Sequence, residues 1–181
     1  GIVVGGRVLG GSVAATLAIS AFSGGITNSG TIAAGFAGIA VGGLADFTGA
    51  TLTISTFSGG ISNAGTISAS QIGILVSATG LNGGVATFVS FTNGVTNSGL
   101  INAQLGIVVD NVTNFSGGIV NAAGANITAT RIGIGVAGVS SFGGNISNAG
   151  TITAKTGITV AGSTITGAVV DTGNILASNV G

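Results

Sequence analysis

The chain has 181 residues, of which 45% are hydrophobic, and its three basic and three acidic side chains leave no net charge. Nucleic-acid binding needs a basic face, and attraction to an anionic membrane needs clustered cations, so the composition argues against both. The chain also has no His, Cys, Tyr or Trp, which removes the usual general bases, nucleophile partners and soft metal ligands.

One pattern, F-x-G-G-I-x-N-x-G-x-I-x-A followed by G-I-x-V, recurs along the whole chain. Regular self-similarity of this kind is typical of repeat architectures. Five copies open with Phe and a sixth opens with Ile165; six residues after each opener comes an Asn, or Asp171 in the sixth copy. The aromatic openers are Phe22, Phe57, Phe91, Phe115 and Phe142, and the amides are Asn28, Asn63, Asn97, Asn121 and Asn148.

In chain order, each copy predicts three short strands: the G-G-I-x-N run, the G-x-I-x-A run and the G-I-x-V run. Apolar residues alternate two by two within these runs, which is the period of a strand and not of a helix. Branched side chains dominate the apolar positions, and Gly and Asn separate the runs as turns require. Three strands per copy, stacked copy on copy, predict an all-β fold, a right-handed parallel β-helix or β-solenoid.

The spacing between copies predicts about six coils of 24–37 residues. The glycines that open G-I-x-V are 37, 35, 33, 27, 24 and 24 residues apart. The longer early coils carry an extra segment before the Phe (13–19, 50–54 and 85–89), which we interpret as an added strand or flap. Residue 1 begins one G-I-x-V element and Gly181 stands where the next would begin. We therefore expect residues 1–181 to be a single repeat domain, and a segment or subunit of a longer fibre.

The repeated side chains are predicted to form ladders. A side chain that recurs in every coil lies about 4.8 Å from its copies, the spacing between strands. The Phe column then predicts an aromatic stack, and the Ile and Val columns predict a dry core. We expect the Asn column in the turn between two strands, where its amide bonds the turn and the next Asn and where Asn tolerates a left-handed backbone. Asp171 ends this ladder with a charge, which indicates a more exposed last coil.

The carboxylates do not predict an active site. Asp46, Asp110 and Asp171 fall in different coils at different repeat positions, whereas β-helical enzymes that process polysaccharides need clustered acids. Calcium-binding β-rolls repeat G-G-x-G-x-D, and no column of Asp follows that spacing here. We therefore expect no catalytic, cofactor-binding or metal-binding residues, and no enzyme.

One column carries long or polar side chains. It lies two residues before each G-I-x-V and includes Gln71, Gln104, Arg131 and Lys155. A solvated outer edge explains such residues, since like charges in adjacent coils are tolerable only in water. A contact stripe for a neighbouring fibre or a receptor is the other interpretation, and the sequence leaves both open.

Residues 25–32 (GITNSGTI) and 38–41 (GIAV) resemble the passenger repeats of bacterial autotransporters and related large secreted adhesins. The resemblance extends over essentially the whole chain. It implies a right-handed β-helical stalk that is exported to the bacterial cell surface and serves adhesion, aggregation or matrix formation. Surface glycans and host or cell receptors are the partners it suggests.

The function that we expect is a non-enzymatic extracellular fibre, structural or adhesive, built by stacking coils and able to assemble end to end. Its partners would be other copies of itself or adjoining repeats. No nucleic acid is expected, and no membrane span in this segment, because no window of about 18 residues lacks Gly, Asn, Ser or Thr. The alternative is a ligand- or ice-binding surface. An ice-binding face needs a regular Thr array, which Thr27, Thr31 and Thr153 suggest but Ser62 and Val120 interrupt.

Overall fold

A computed structural model describes residues 1–180, and these residues form strands and no helix. The predicted all-β fold with parallel strands is confirmed, because every strand pair in this part of the chain is parallel. Gly181, on which the expected phase of the chain end depends, lies outside the described residues.

The strands in chain order are β1 Ile2–Leu9, β2 Ala15–Ile19, β3 Ile26–Asn28, β4 Thr31–Ala34, β5 Ala37–Asp46, β6 Ala50–Phe57, β7 Ile61–Asn63, β8 Thr66–Ala69, β9 Ile72–Leu81, β10 Val85–Phe91, β11 Val95–Asn97, β12 Leu100–Asp110, β13 Asn114–Ser116, β14 Ile119–Asn121, β15 Asn126–Gly143, β16 Ile146–Asn148, β17 Thr151–Thr166, β18 Val169–Asp171 and β19 Asn174–Val180. They make two sheets. The smaller has the order β18-β16-β14-β11-β7-β3, and the larger contains β1-β5-β9-β12-β15-β13-β10-β6-β2 together with β4, β8, β17 and β19. Neighbours in both sheets come from successive repeats.

Equivalent positions of successive repeats pair directly with one another. In the smaller sheet Asn28 pairs with Asn63, Asn63 with Asn97, and so on to Asp171. The Ile of the G-I-x-V element pairs in the same way through the larger sheet, from Ile2 to Ile158. The columns of the sequence are therefore columns of the structure, each side chain lying above its own equivalent.

The corner between the second and third predicted strands changes along the chain. In the early repeats it separates β4 from β5 and β8 from β9, but in the later repeats β12, β15 and β17 run through it. The register slips there, for example between Ala103 and Leu105, as a β-bulge allows. The corner is one residue shorter in β12 and β17 than between β4 and β5, but it has the same length in β15, so its length alone does not decide whether the strand is interrupted. The expectation of three separate strands in every copy is wrong for these three repeats.

The extra segments of the early repeats form an added strand. β2, β6 and β10 lie side by side in the larger sheet, with Phe22 bridged to Phe57 at the end of this path. In the next repeat the segment shortens to the three residues of β13. The additional apolar residues, including Leu52, Ile54 and Phe88, lie in the core.

The core is one continuous cluster that follows the stacking direction from Val8 to Ala154. Its largest side chains are the Phe and Ile columns. Each fully buried Ile, Val or Phe contributes roughly 1.5–3 kcal/mol, and most of that burial is provided by the layers above and below. A single repeat therefore could not offset its own backbone ordering.

The glycine that opens each G-I-x-V element is required by packing between layers. A Cβ placed on Gly133 would lie 2.3 Å from the Ile152 Cγ2 atom and 2.6 Å from the Gly157 carbonyl oxygen of the next repeat. Gly38, Gly73 and Gly106 meet the corresponding Ile methyl at 2.2–2.4 Å. The Ile side chain of the next repeat fills the space beside each of these glycines. A side chain in place of the glycine would prevent the close approach of the two layers.

We predict that Gly133→Ala lowers the free energy of unfolding by about 1–3 kcal/mol, the usual cost of overpacking a tight site. Gly135→Ala, two residues further along the same strand, is the matched control. Its added Cβ would meet nothing closer than 3.4 Å, so we expect a change below about 1 kcal/mol. Guanidinium unfolding followed by circular dichroism measures both, and equal effects of the two substitutions would contradict the packing explanation.

Candidate functional site

The Phe column forms a parallel aromatic stack inside the molecule. The rings of Phe22, Phe57, Phe91, Phe115 and Phe142 follow one another with centroids 4.9–5.1 Å apart and interplanar angles of 1–6°. Phe22 is half-buried and the other four are fully buried. Phe88 adds an edge-on contact to Phe91 at 6.2 Å. These side chains hold the layers together, and the four fully buried rings present no surface to a ligand.

The Asn column is a hydrogen-bonded ladder. The Nδ2 groups of the first four Asn residues each donate to the Oδ1 atom of the equivalent Asn in the next repeat, over 2.7–2.8 Å. The same Nδ2 groups also point at backbone carbonyls; that of Asn63, for example, donates to Gly65 over 3.2 Å. Buried amides cost free energy unless they are hydrogen-bonded, and the repetition of the column supplies each amide with its partner.

The position of the Asn column differs from the prediction. Each of these Asn residues is the last residue of a three-residue strand, and each is at most 6% exposed. The non-glycine residues with a left-handed backbone in residues 1–180 are Phe47, Asn82, Asn93 and Asn111, none of which belongs to the column. The Asn amide points into the molecule, because its hydrogen-bond partners are the equivalent side chains of the neighbouring layers. This arrangement needs no left-handed backbone, so each Asn keeps the extended conformation of its strand.

The ladder has a direction, and Asp171 is its last member. Every donor points toward the C-terminal end of the stack, and Asn148 donates to the Asp171 Oδ1 atom over 2.8 Å. The Gly173 backbone N–H donates to the same oxygen over 3.2 Å. Asp171 is exposed, as expected for the last coil.

The candidate contact stripe lies along the bulged corner of the larger sheet. Gln71, Gln104, Arg131 and Lys155 are all exposed. The backbone N–H of Gln104 donates to the Gln71 carbonyl over 3.0 Å, so these two residues lie in adjacent layers. Arg131 and Lys155 lie within the slipped segments of the next two layers. The structure therefore places the stripe on one outer edge, where solvation and contact with a partner are both open.

The threonines do not line up as a regular array. Thr31 pairs with Thr66, but the same column continues with Leu100 and Asn126 before it returns to Thr151. The adjacent outward column begins with Ala33 and Ser68. Methyl and hydroxyl groups therefore do not repeat from layer to layer over this face.

An ion pair that the repeat analysis did not find lies near the N-terminal end. Arg7 on β1 donates through Nη2 to Asp46 Oδ2 on β5, and Asn82 donates to Asp46 Oδ1 over 2.8 Å. The Asp46 side chain is 6% exposed and that of Arg7 58%. The repeat alignment could have indicated this pair, because Arg7 aligns with Leu44 of the next repeat, which is two residues before Asp46. Comparing residues at the same repeat position does not reveal the contact, since Arg7 and Asp46 stand at different positions of adjacent repeats.

An apolar groove of about 430 Å³ adjoins this ion pair. Val3, Phe36, Leu44 and Leu75 contribute to its lining, together with Arg7. Phe36 and Val3 are more than half exposed. This groove bears on the ligand-binding alternative.

The pKa values of Asp46 and Asp110 are shifted in opposite directions. The pKa of Asp46 is lowered, because Arg7 and Asn82 donate hydrogen bonds to its charged form. The pKa of Asp110 is raised, because burial penalises its charge. Among the described residues there is no group of three or more His, Cys, Asp or Glu side chains that could hold a metal ion. The same residues contain no helix of the length and apolarity that a membrane crossing requires.

We predict that Asn97→Asp destabilises the chain by about 3 kcal/mol or more, because a charge would be buried and the Asn121 oxygen would lose its donor. Asn97 is fully buried between Asn63 and Asn121. Asn102→Asp, the same change at an exposed position of the next strand, is the control and should alter stability by less than about 0.5 kcal/mol. Comparable losses in chemical unfolding would show that the ladder bonds are not the cause.

We predict opposite effects of Asp46→Asn and Asp110→Asn on the free energy of unfolding at pH 7. Because the pKa of Asp46 is lowered, its stabilisation is full above the unfolded pKa, about 3.9, and is lost as the pH falls through the folded value. The raised pKa of Asp110 makes its charge a cost at pH 7 that acidification relieves. Asp46→Asn should therefore destabilise, Asp110→Asn should stabilise, and both differences should shrink toward acid pH. Unfolding curves between pH 7 and pH 2 measure this, and effects of the same sign would contradict it.

Comparison of the chain with protein-family models, with curated proteins and with solved structures finds no match. The ladders, the ion pair and the exposed edge are therefore the features of the molecule that indicate its function.

Proposed function

We propose that the chain is a right-handed parallel β-helix that serves as a non-enzymatic extracellular fibre, structural or adhesive, built by the stacking of its coils. The observation that carries this proposal is the in-register pairing of the repeats, seen throughout the smaller sheet from β3 to β18. Such pairing extends a rod by one strand spacing per repeat, about 4.8 Å. Length and stiffness are thus the properties that each added repeat changes.

The distribution of side chains supports a mechanical role. The most regular columns, Phe and Asn, are directed inward and bond layer to layer. The outward positions carry small, polar and apolar side chains with few charges, among them Ala33, Ser68 and Asn102. A face of this kind suits lateral contact with other copies, with adjoining repeats or with surface glycans and receptors. Gln71, Gln104, Arg131 and Lys155 supply its long polar edge.

The same geometry supports a role without catalysis. Asp46 is engaged by Arg7 and Asn82, and Asp171 by the ladder. Asp110 receives a hydrogen bond from Asn111 over 3.1 Å. The three carboxylates thus lie in β5, β12 and β18 with separate partners, and no pair of acids is placed to share a substrate.

The proposed location is the bacterial cell surface, and it rests on the resemblance of the repeats to autotransporter passengers and secreted adhesins. A parallel stack with few charges and strong layer-to-layer contacts is suited to a stalk that must persist outside the cell. The proposed partners follow from the same resemblance.

Electron microscopy of cells that produce the chain, labelled with antibodies against it, tests the proposal. We expect label outside the cell on long unbranched fibres whose axial repeat is a multiple of about 4.8 Å. Label confined to the cell interior, or short rods of about six layers with no longer structure, would contradict it.

One further measurement on the purified chain distinguishes the proposed fibre from the alternative, a ligand- or ice-binding surface. Thermal hysteresis reports ice binding directly. The interrupted threonine columns lead us to expect none, and a clear hysteresis would replace the fibre with the ice-binding alternative.

A further inference from the structure

We infer that the step between the third and fourth repeats is a binding groove for an extended, uncharged peptide that adds to the exposed strand edges through backbone hydrogen bonds. The step lies inside the chain, where the spacing of the glycines that open G-I-x-V falls from 33 to 27 residues. The inference goes beyond the proposed fibre and does not depend on it, because it concerns how one layer of the molecule is covered and not how long the stack is or where it lies.

The first three repeats carry a lobe that the later repeats lack. The lobe consists of β2, β6 and β10 together with the ends of β1, β5 and β9 that precede them. Its second layer is paired on both sides, since β6 lies between β2 and β10 and β5 lies between β1 and β9. In its third layer, β12 pairs with β9 only as far as Ser77, and β13 pairs with β10 only from Ser90. No strand of the described residues therefore covers the far edge of residues 78–88.

The exposure of the third layer reflects this uncovered edge. Leu52 and Asp46 of the second layer are 0% and 4% exposed. Their pairing partners in the third layer are Ala86, which is half-buried, and Leu81, which is 43% exposed. Because a leucine is more exposed here than the aspartate that pairs with it, the step and not the residue type sets the exposure.

The uncovered edge presents backbone groups to the step. The Leu81 carbonyl accepts from the preceding repeat over 3.0 Å, whereas the Phe88 carbonyl accepts from the Thr113 N–H of the following repeat over 2.8 Å. Successive residues of an extended strand direct their backbone groups to opposite sides. The N–H and C=O groups of Gly80 and Ala86 therefore face the step, and within residues 1–180 no backbone group of the following repeat bonds to them.

A groove of about 460 Å³ lies between this edge and the shorter repeats that follow, and its volume is typical of ligand clefts. One wall consists of residues 78–80 and 86–88, and the other of residues 111–113 with Gly138 and Ser140. None of these residues is charged, and four of them carry a hydroxyl group. An uncharged occupant that forms hydrogen bonds therefore suits the groove.

The chain itself shows which occupant fits the edge. One layer earlier, the same edge is covered by residues 78–88, with Gly43 paired with Ala78 and Leu52 paired with Ala86. An extended peptide continues this interface by one more layer at about 4.8 Å, as in other cases of strand addition to an exposed sheet edge. It supplies N–H and C=O groups at the spacing that Gly80 and Ala86 require. A peptide with the sequence of the lobe is therefore the ligand that the register predicts.

The test adds a synthetic peptide of residues 77–89 (SATGLNGGVATFV), with blocked termini, to the purified nitrogen-15-labelled chain. Amide hydrogen exchange is followed by NMR. We expect the N–H groups of Gly80 and Ala86 to exchange quickly in the chain alone and at least about tenfold more slowly at saturating peptide. The N–H group of Ile74, in the covered part of the same sheet, should be unaffected.

A matched peptide carries proline at the positions of Thr79 and Thr87. In the chain these two residues alternate with Gly80 and Ala86, so their N–H groups point toward the preceding layer. The corresponding N–H groups of a bound peptide would be those that bond to the exposed edge, and proline removes them. This peptide should give no protection.

A variant of the chain tests the groove. Ser140→Trp places a large side chain in it and should weaken binding of the unsubstituted peptide by at least about tenfold. Ser68→Trp makes the same change at an exposed position of β8 outside the groove and should leave binding unchanged. If circular dichroism shows that Ser140→Trp does not fold, Thr113→Trp takes its place.

Four results would overturn the inference: slow exchange of Gly80 and Ala86 in the chain alone, no protection by the peptide, equal protection by the proline peptide, or equal weakening by the two tryptophan variants. None of them would bear on whether the chain lies in fibres outside cells, which microscopy decides. Conversely, a chain found only inside cells would end the fibre proposal and leave the peptide result standing.

Discussion

The structure depends on the hydrogen bonding of each strand to its own equivalent in the next repeat. Because the pairing is parallel and in register, every side chain must be compatible with the side chain at the same repeat position about 5 Å away. Phe, Ile and Asn satisfy this condition by stacking, packing and amide bonding. Charges do not, which accounts for a chain of 181 residues that has only three acids and three bases.

The Asn ladder adds a polarity that apolar columns lack. An Ile column looks the same from both ends, whereas the Asn column has a donor end and an acceptor end. The Asn63, Asn97 and Asn121 amides are buried at no evident loss of hydrogen bonds, and those bonds also fix the register, since a slip of one residue would remove them all. The ladder therefore gives the stack a direction that the apolar columns do not have.

Where sequence reasoning failed, the cause was a contact that does not follow a column. The Arg7, Asp46 and Asn82 cluster joins three repeats diagonally. The Asn column was expected in a turn because Asn is common there, but layer-to-layer bonding holds it at the strand end. The later corners are β-bulges inside continuous strands, with register shifts such as the one between Ala103 and Leu105, and the repeat pattern of the sequence does not distinguish them from the early corners.

The sequence alone determined the all-β parallel character, the columns and their Phe and Asn members. It could do so because periodicity is a local property that in-register stacking converts directly into neighbours. Only the tertiary structure decided the direction of the ladder and the partners of Asp46 and Asp171. Those features depend on where a side chain turns relative to the layers above and below it, and a repeating pattern of residue types does not contain that information.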